Sequence, residues 1–318
     1  MMRLRGLVPL VALLVPLTAA AQEWPNRPIR FIVPFPAGGS TDVAARVIGE
    51  HLSRTLSQQI VIENKSGASG VVGAEAAAKS APDGYTILIG TDQVDTWPHL
   101  FKLNFDPMKD LVPVIQLSRQ PVVLAVHPSL GPTTLAELVA LAKQRPGMSY
   151  ATSGVGSQQH ITAQWFAQIA GIKLDHVPYR GGGQAINDLI AGHIKIGSLG
   201  SSPLIPHYKA GALRLLAQST AQRSPSLPEV PTYQEAGIKG LVIDQWLGVF
   251  VPAGTPPALA ARLNALIDQS LTDARIRESF LQSAQEPVGG SAEAFARLAR
   301  EDFEKYGKLV KELDIKAN

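Results

Sequence analysis

Apolar residues along the chain recur with two alternating periods. Ile29 to Val33 has the nearly continuous hydrophobicity of a buried strand, and Val43, Val47, Ile48, Leu52 and Leu56 then share one face of a helix. A strand at Ile60 to Ile62, an Ala-rich helix from Val71 to Lys79, a Pro-Asp-Gly turn at 82 to 84 and a strand from Thr86 to Ile89 follow. This β-α-β-α-β order predicts parallel strands with helices on both faces. A second unit of the same kind opens with a helix at Leu135, whose start carries a capping box in Thr134 and Glu137. It continues with a strand at Ser149 to Thr152, a helix bearing Ile161, Trp165 and Ile169, and a strand at His176 to Tyr179. A helix with Ile186, Leu189 and Ile190, a strand at Ile194 to Gly197 and another at Leu213 to Gln218 complete it. The last third reads mostly as helix, with Thr255-Pro256 as N-cap and first turn and Leu259, Leu263, Leu266 and Ile267 as the apolar stripe.

Between the units, two apolar runs (Val114 to Leu117 and Val122 to Val126) flank the polar Ser118-Arg119-Gln120-Pro121. This is the pattern of one extended segment that leaves one sheet and enters another. A return crossing just after Gln218 would make a hinged, two-lobed α/β body of the periplasmic binding protein type. Consecutive domains joined once fit the pattern equally well.

The first 21 residues stand apart from this alternation. Arg3 and Arg5, the apolar run Leu7 to Leu17 and the small Ala19-Ala20-Ala21 have the three parts of a secretory signal, with cleavage expected after Ala21. About 11 apolar residues are too few for a membrane span, which needs roughly 20. Export to a bacterial periplasm is therefore expected. Composition then excludes several classes. The 318 residues contain no Cys, which removes disulfides, thiol nucleophiles and Cys-ligated metals. Without the leader, 27 basic residues oppose 26 acidic ones, so nothing favours nucleic acid as a partner.

Chemistry is best sought in three Gly-rich strand-to-helix junctions: Pro36-Ala37-Gly38-Gly39-Ser40-Thr41-Asp42, Ser153-Gly154-Val155-Gly156-Ser157-Gln158-Gln159-His160, and Arg180-Gly181-Gly182-Gly183-Gln184. Helix starts expose amides without intrahelical partners and the positive end of the dipole, so they hold a carboxylate without any Lys or Arg. Plain βα turns have the same composition, and within them His160 has a structural role available in orienting its turn, as Asp42 has in stabilising its helix start. Trp97 and Trp246 are either cleft walls or packing. Competing motifs fail. Gln159 occupies the third Gly position of a dinucleotide fingerprint, no P-loop or G-x-S-x-G elbow occurs, and the seven His show no chelating spacing. No metal or cofactor is expected, and an enzyme is disfavoured.

These loops also carry a resemblance. Pro28 to Phe35 leading into Gly38-Gly39-Ser40-Thr41-Asp42, Ala81-Pro82-Asp83-Gly84-Tyr85, Thr152-Ser153-Gly154 with Gly156-Ser157 and His160, and Val177-Pro178-Tyr179 with Gly181-Gly182 resemble the Bug family of extracytoplasmic solute receptors of tripartite tricarboxylate transporters. Leu227-Pro228-Glu229-Val230-Pro231-Thr232, Pro252-Ala253-Gly254-Thr255-Pro256 and Glu286-Pro287-Val288-Gly289-Gly290 extend it over the whole mature chain. The resemblance implies two lobes with double chain crossing, lobe one at 22–120 and 219–318 and lobe two at 121–218. It implies a monomer that closes on a small carboxylate (a di- or tricarboxylate or an aromatic acid) and passes it to membrane permease subunits. A membrane sensor kinase is an alternative recipient. Carried over, it implicates Ala37, Gly38, Gly39, Ser40 and Thr41 in lobe one, beside Phe35, and Ser153, Gly156, Ser157 and His160 in lobe two. Asp92, Arg180, Trp246 and the 199–203 segment are expected at the ligand's far end. Family members often carry Asp-Asn where this chain has Leu199-Gly200, so plain carboxylates are expected over amino acids.

Overall fold

A computed structural model describes residues 24–317, so the expected leader lies outside the described residues. The first unit comprises β1 (Ile29–Val33), α1 (Ser40–Leu56), β2 (Ile60–Asn64), α2 (Val71–Ala78), β3 (Thr86–Thr91), α3 (Gln93–Leu100) and α4 (Pro107–Asp110). The long β4 (Leu111–Val126) leads to α5 (Leu135–Gln144), β5 (Met148–Thr152), α6 (Gln158–Ala170), β6 (Leu174–Pro178), α7 (Gly182–Ile190), β7 (Ile196–Gly200), α8 (Ile205–Lys209) and β8 (Arg214–Gln218). Finally come β9 (Asp244–Pro252), α9 (Pro257–Thr272), α10 (Ala274–Gln282), β10 (Glu286–Pro287) and α11 (Ala292–Glu312).

The strands follow the path β2-β1-β3-β9-β4-β7-β5-β6, with β8 and β10 also paired to β4. As expected, β1 runs parallel to β2 and β3, and β5 runs parallel to β6 and β7. The molecule has two α/β lobes, and β4 is the strand that both share. Its first part, Leu111 to Pro121, pairs with β9, and Val122 to Val126 pairs with β7. The polar interruption in the sequence thus marks where one strand changes sheets.

Each lobe is closed by helices that bury an apolar stripe on its sheet. In lobe one, Ile48 and Leu52 of α1 and Leu263 and Ile267 of α9 pack against Phe31, Ile87 and Val249. In lobe two, Leu135 and Leu138 of α5 and Phe166 of α6 pack on Leu124, Tyr150 and Ile196. Each such side chain contributes about 1.5–3 kcal/mol on leaving water.

The structure departs from expectation in where the chain returns. Leu227 and Val230 pack with Ile186 and Leu204, and Tyr233, Ile238 and Leu241 pack with Phe166, so the segment after Gln218 belongs to lobe two. The Gln218 side chain donates to the carbonyls of Leu227 (3.0 Å) and Val230 (2.6 Å) and holds that segment down. The chain rejoins the first sheet only at Asp244, in β9, a strand that runs antiparallel to both β3 and β4. This strand interrupts the run of helix expected there. Ser219 bridges the outgoing and returning strands: Ser219 N donates to Val122 O (2.9 Å), Val122 N donates to Ser219 Oγ (3.0 Å), and Ile243 N donates to Ser219 O (2.9 Å). The two hinge segments are thereby cross-tied.

Candidate ligand-binding site

The β1–α1 turn depends on Gly38, whose φ of +87° is a left-handed value that a side chain would strain. Gly38 N donates to Asp42 Oδ2 (3.0 Å), and Asp42 also receives Arg46 (2.9 and 3.0 Å) and Asn64 Nδ2 (3.0 Å). Burial pushes the Asp42 carboxyl up, but the Arg46, Gly38 and Asn64 donors outweigh it and hold the group below the ordinary carboxylate range. Asp42 is thus the brace of the turn, and it consumes the Gly38 amide. The amides that follow, at the start of α1, have no intrahelical partners. No side chain caps them.

In lobe two the two Gly-rich junctions differ. The β5–α6 turn satisfies itself. Ser153 N donates to Gln159 Oε1 (3.0 Å), Gly156 N to His160 Nδ1 (3.3 Å), and His160 N to Ser157 Oγ (3.2 Å). His160 stacks on His176 with ring centroids 3.7 Å apart. Burial, then the neighbouring His176, lowers the His160 pKa to about 2, so the ring is neutral and orients the turn. The β6–α7 junction instead has its helix start free of any side-chain cap.

These two uncapped starts meet across the cleft. A methyl group on Gly39 would lie 3.8 Å from Gly183 N and 3.9 Å from Gly182 N. The approach needs glycine, since a Cβ on Gly183 would sit 2.7 Å from Ala37 O and one on Gly181 2.5 Å from Pro36 Cδ. Two positive dipole ends therefore face each other, an arrangement that a shared anion stabilises.

Beside them is a cavity of about 30 Å³, where one water needs roughly 10–15 Å³. Lobe one lines it with Phe35, Gly39, Ser40, Thr41, Thr91 and Gln93, and the hinge strands add Gln120 and Gln245. Lobe two adds Ser153, Gln159, Gly182 and Ile186, with Leu199, Gly200 and Pro203 from the segment after β7. No Asp, Glu, Lys or Arg appears in this lining. Gln120 Nε2 donates to Gln245 Oε1 (3.0 Å) and Ser202 N donates to Gln120 Oε1 (3.1 Å), so amides of the hinge tie both lobes together. Gly200 leaves the space for this, because a Cβ there would lie 2.7 Å from Ser40 Oγ and 2.8 Å from Gln120 Nε2.

The structure thus brings Phe35, Gly39, Ser40, Thr41 and Ser153 together. Ala37 and Gly38 shape the turn without entering the wall. Gly156, Ser157 and His160 sit one turn behind Ser153 in the self-capped loop. Arg180 is exposed, next to Gly181. Asp92 is fully buried outside the lining, where burial, followed by the Asp302 charge, pushes its carboxyl well up. Trp246 faces a different cavity, donates its indole N–H to Asp302 Oδ2 (2.8 Å) and packs edge-on against Phe295. Trp97 is buried, with its N–H on Ser69 O (3.0 Å). Sequence reading missed Thr91, Gln93, Gln120, Gln159 and Gln245. The signal for Gln120 was its polarity inside an otherwise apolar strand. Among the described residues no cluster of His, Cys, Asp or Glu is arranged to hold a metal.

The family model of the tripartite tricarboxylate transporter family receptor matches residues 44–315. The chain belongs to this receptor family. Protein BugT of Bordetella pertussis is 35% identical over 301 residues, covering 93% of this chain and 92% of its own. Rpa4515 of R. palustris, solved with adipate, superposes with a TM-score of 0.90 at 34% identity, covering 92% of this chain and 99% of its own. MatC from Rhodopseudomonas palustris, solved with bound malate, gives a TM-score of 0.85 at 29% identity, covering 90% and 100%. Membership identifies the chain as a binding receptor, not an enzyme.

Proposed function

We propose that this receptor, exported by its N-terminal leader, closes its lobes on a small plain carboxylate in the periplasm and delivers it as a monomer to a tripartite membrane permease. The observation that carries this reading is the convergence of two uncapped helix starts, α1 and α7, beside a cavity lined by hydroxyls and amides and free of charged side chains. One carboxylate takes the amides of Gly39, Ser40 and Thr41 and those of Gly182 and Gly183, with Ser40, Thr41 and Ser153 hydroxyls beside them. The adipate and malate held by the relatives Rpa4515 and MatC support this ligand class. Hydrogen bonds to a charged group contribute about 1.5–3 kcal/mol each, so about four of them, less the cost of ordering, reach the ~8 kcal/mol of a micromolar complex.

Arg180, at the exposed end of the β6–α7 junction, is assigned to the ligand's far end. The cavity lining supplies no acid to receive an ammonium group. Thermal-shift screening with di- and tricarboxylates, aromatic acids and amino acids tests the reading. Ligand at about 100 times its dissociation constant adds about 2.7 kcal/mol to stability. Dicarboxylates raising the melting temperature while amino acids do not is the expected result; a shift from amino acids alone overturns the assignment.

A further inference from the structure

The start of α3 carries two carboxylates for which the ligand cavity has no use. Asp92 and Asp95 are fully buried; the Trp246 backbone N–H and the Gln245 amide lie beside the Asp92 carboxyl, and neither oxygen of Asp95 has a hydrogen-bond partner among the described residues. Helix α11 packs against them with Asp302, Lys305 and Tyr306, and β9 contributes Gln245. His99, one turn further along α3, is engaged with the Phe303 carbonyl (3.0 Å). The remaining side of this pocket comes from the other lobe. Ile161 of α6 packs with Tyr306, the Gln158 amide on the same helix lies beside the Tyr306 hydroxyl, and the Thr162 hydroxyl is buried without a hydrogen-bond partner among the described residues. Helix α6 belongs to lobe two, so the Tyr306 side of this pocket is walled from across the lobe boundary.

We infer that lobe closure is proton-linked: Asp92 and Asp95 take up a proton as α6 docks against α3 and α11, and release it when the lobes part. This rests on the reading of the chain as a closing receptor. Two adjacent carboxylates buried beside a third, Asp302, with donors at Asp92 alone cannot both stay ionised, because burial removes the water that stabilises each charge and their mutual repulsion grows. A protonated carboxyl, by contrast, carries no charge to desolvate and can donate to its neighbour. Burial first, then the Asp302 charge, hold both groups well above the ordinary carboxylate range. The Trp246 backbone N–H, the Gln245 amide and Lys305 pull Asp92 the other way without reversing the direction. A group whose pKa is higher in the closed form favours closure below its open-form pKa, and that contribution is lost as pH rises through the closed-form value. Acid therefore promotes capture, and alkaline conditions promote release.

Calorimetric titration with adipate as the probe, in buffers of different ionisation enthalpy, reads the proton directly. We expect uptake of about one proton per adipate by the native chain near neutrality, and near none by Asp95→Asn. No uptake by the native chain, or uptake unchanged in both Asp95→Asn and Asp92→Asn, overturns the inference; if one variant fails to fold, the other carries that arm. Tighter binding on adding calcium or sodium chloride without proton uptake overturns it in favour of a cation. Small-angle scattering of the ligand-free chain from about pH 8 to about pH 5 separates this inference from the choice of ligand. If adipate does not bind, the dicarboxylate reading fails. Compaction toward acid in the native chain and not in Asp95→Asn then still supports proton linkage, and a profile independent of pH overturns it.

Discussion

Gly39 of lobe one faces Gly183 of lobe two so closely that a methyl group on the first would lie 3.8 Å from the backbone nitrogen of the second, ordinary van der Waals contact. The site therefore has space for a short side chain but not for that side chain and a ligand together. Gly39→Asp places a carboxylate beside the amides of Gly182 and Gly183, where the ligand's own is proposed to sit. The variant is expected to fold, because Gly39 has an extended φ of −86° that any residue adopts. Its carboxylate fills the site from within, and ligand affinity falls more than tenfold, the loss of one or two charge-assisted hydrogen bonds. Calorimetry with adipate on the folded variant checks this; retained affinity would move the site elsewhere.

Asp42 gives a second test, because its four hydrogen bonds brace the turn from inside. Its pKa is lowered in the folded chain, so its contribution is present above the ordinary carboxylate value and lost as pH falls through the folded one. Asp42→Asn keeps the shape but removes the charge, and is expected to destabilise the receptor by about 1–3 kcal/mol at neutral pH. Urea unfolding at about pH 7 and about pH 3 should show the gap between variant and native chain shrinking in acid.

How much of this was legible in the sequence follows from range. The βα units were readable because their signals are local: Ile48 and Leu52 repeat at helical spacing, and Gly38 and Gly39 sit between a strand and a helix. The sheet change within β4 was readable because Gln120 and Pro121 break an apolar run. The return point was not. Tyr233 and Leu241 are scattered among turn residues, and only the tertiary core they join shows that they belong to lobe two. Composition likewise could not separate the β5–α6 turn from the β6–α7 turn, since both are Gly-rich. What separates them is that Gln159 and His160 fold back to occupy the amides of the first. Gln245 escaped notice because the run from Asp244 to Pro252 was not recognised as the strand that links the hinge to the site.

Trp246 discriminates between wall and scaffold. It is 1% exposed and gives its indole N–H to Asp302, a carboxylate that burial pushes up and this hydrogen bond pulls down. Trp246→Phe leaves Asp302 without that donor and should cost about 1–3 kcal/mol of stability. Adipate affinity should change by no more than about twofold, since separate sites act additively. Chemical denaturation and calorimetry on the same sample give both numbers, and a large affinity loss with unchanged stability would return Trp246 to the ligand's wall.

The buried histidine pair supplies a pH dependence of stability independent of ligand. Burial, with His176 adding to it, lowers the His160 pKa to about 2, and burial lowers that of His176 to about 4. Both rings are neutral in the folded chain, with Gly156 N donating to His160 Nδ1 and Thr152 Oγ1 2.7 Å from His176 Nε2. In the unfolded chain they charge near pH 6.5. The stability they protect is thus complete above about pH 6.5 and is lost as pH falls toward the folded values, about 2 kcal/mol for each ring by pH 5. Replacing both by Gln removes this sensitivity while keeping polar side chains in the turn. The native chain should therefore lose more melting temperature than His160→Gln/His176→Gln between about pH 7 and pH 5. Equal losses would mean that the pair titrates normally and that the turn is not sealed as described.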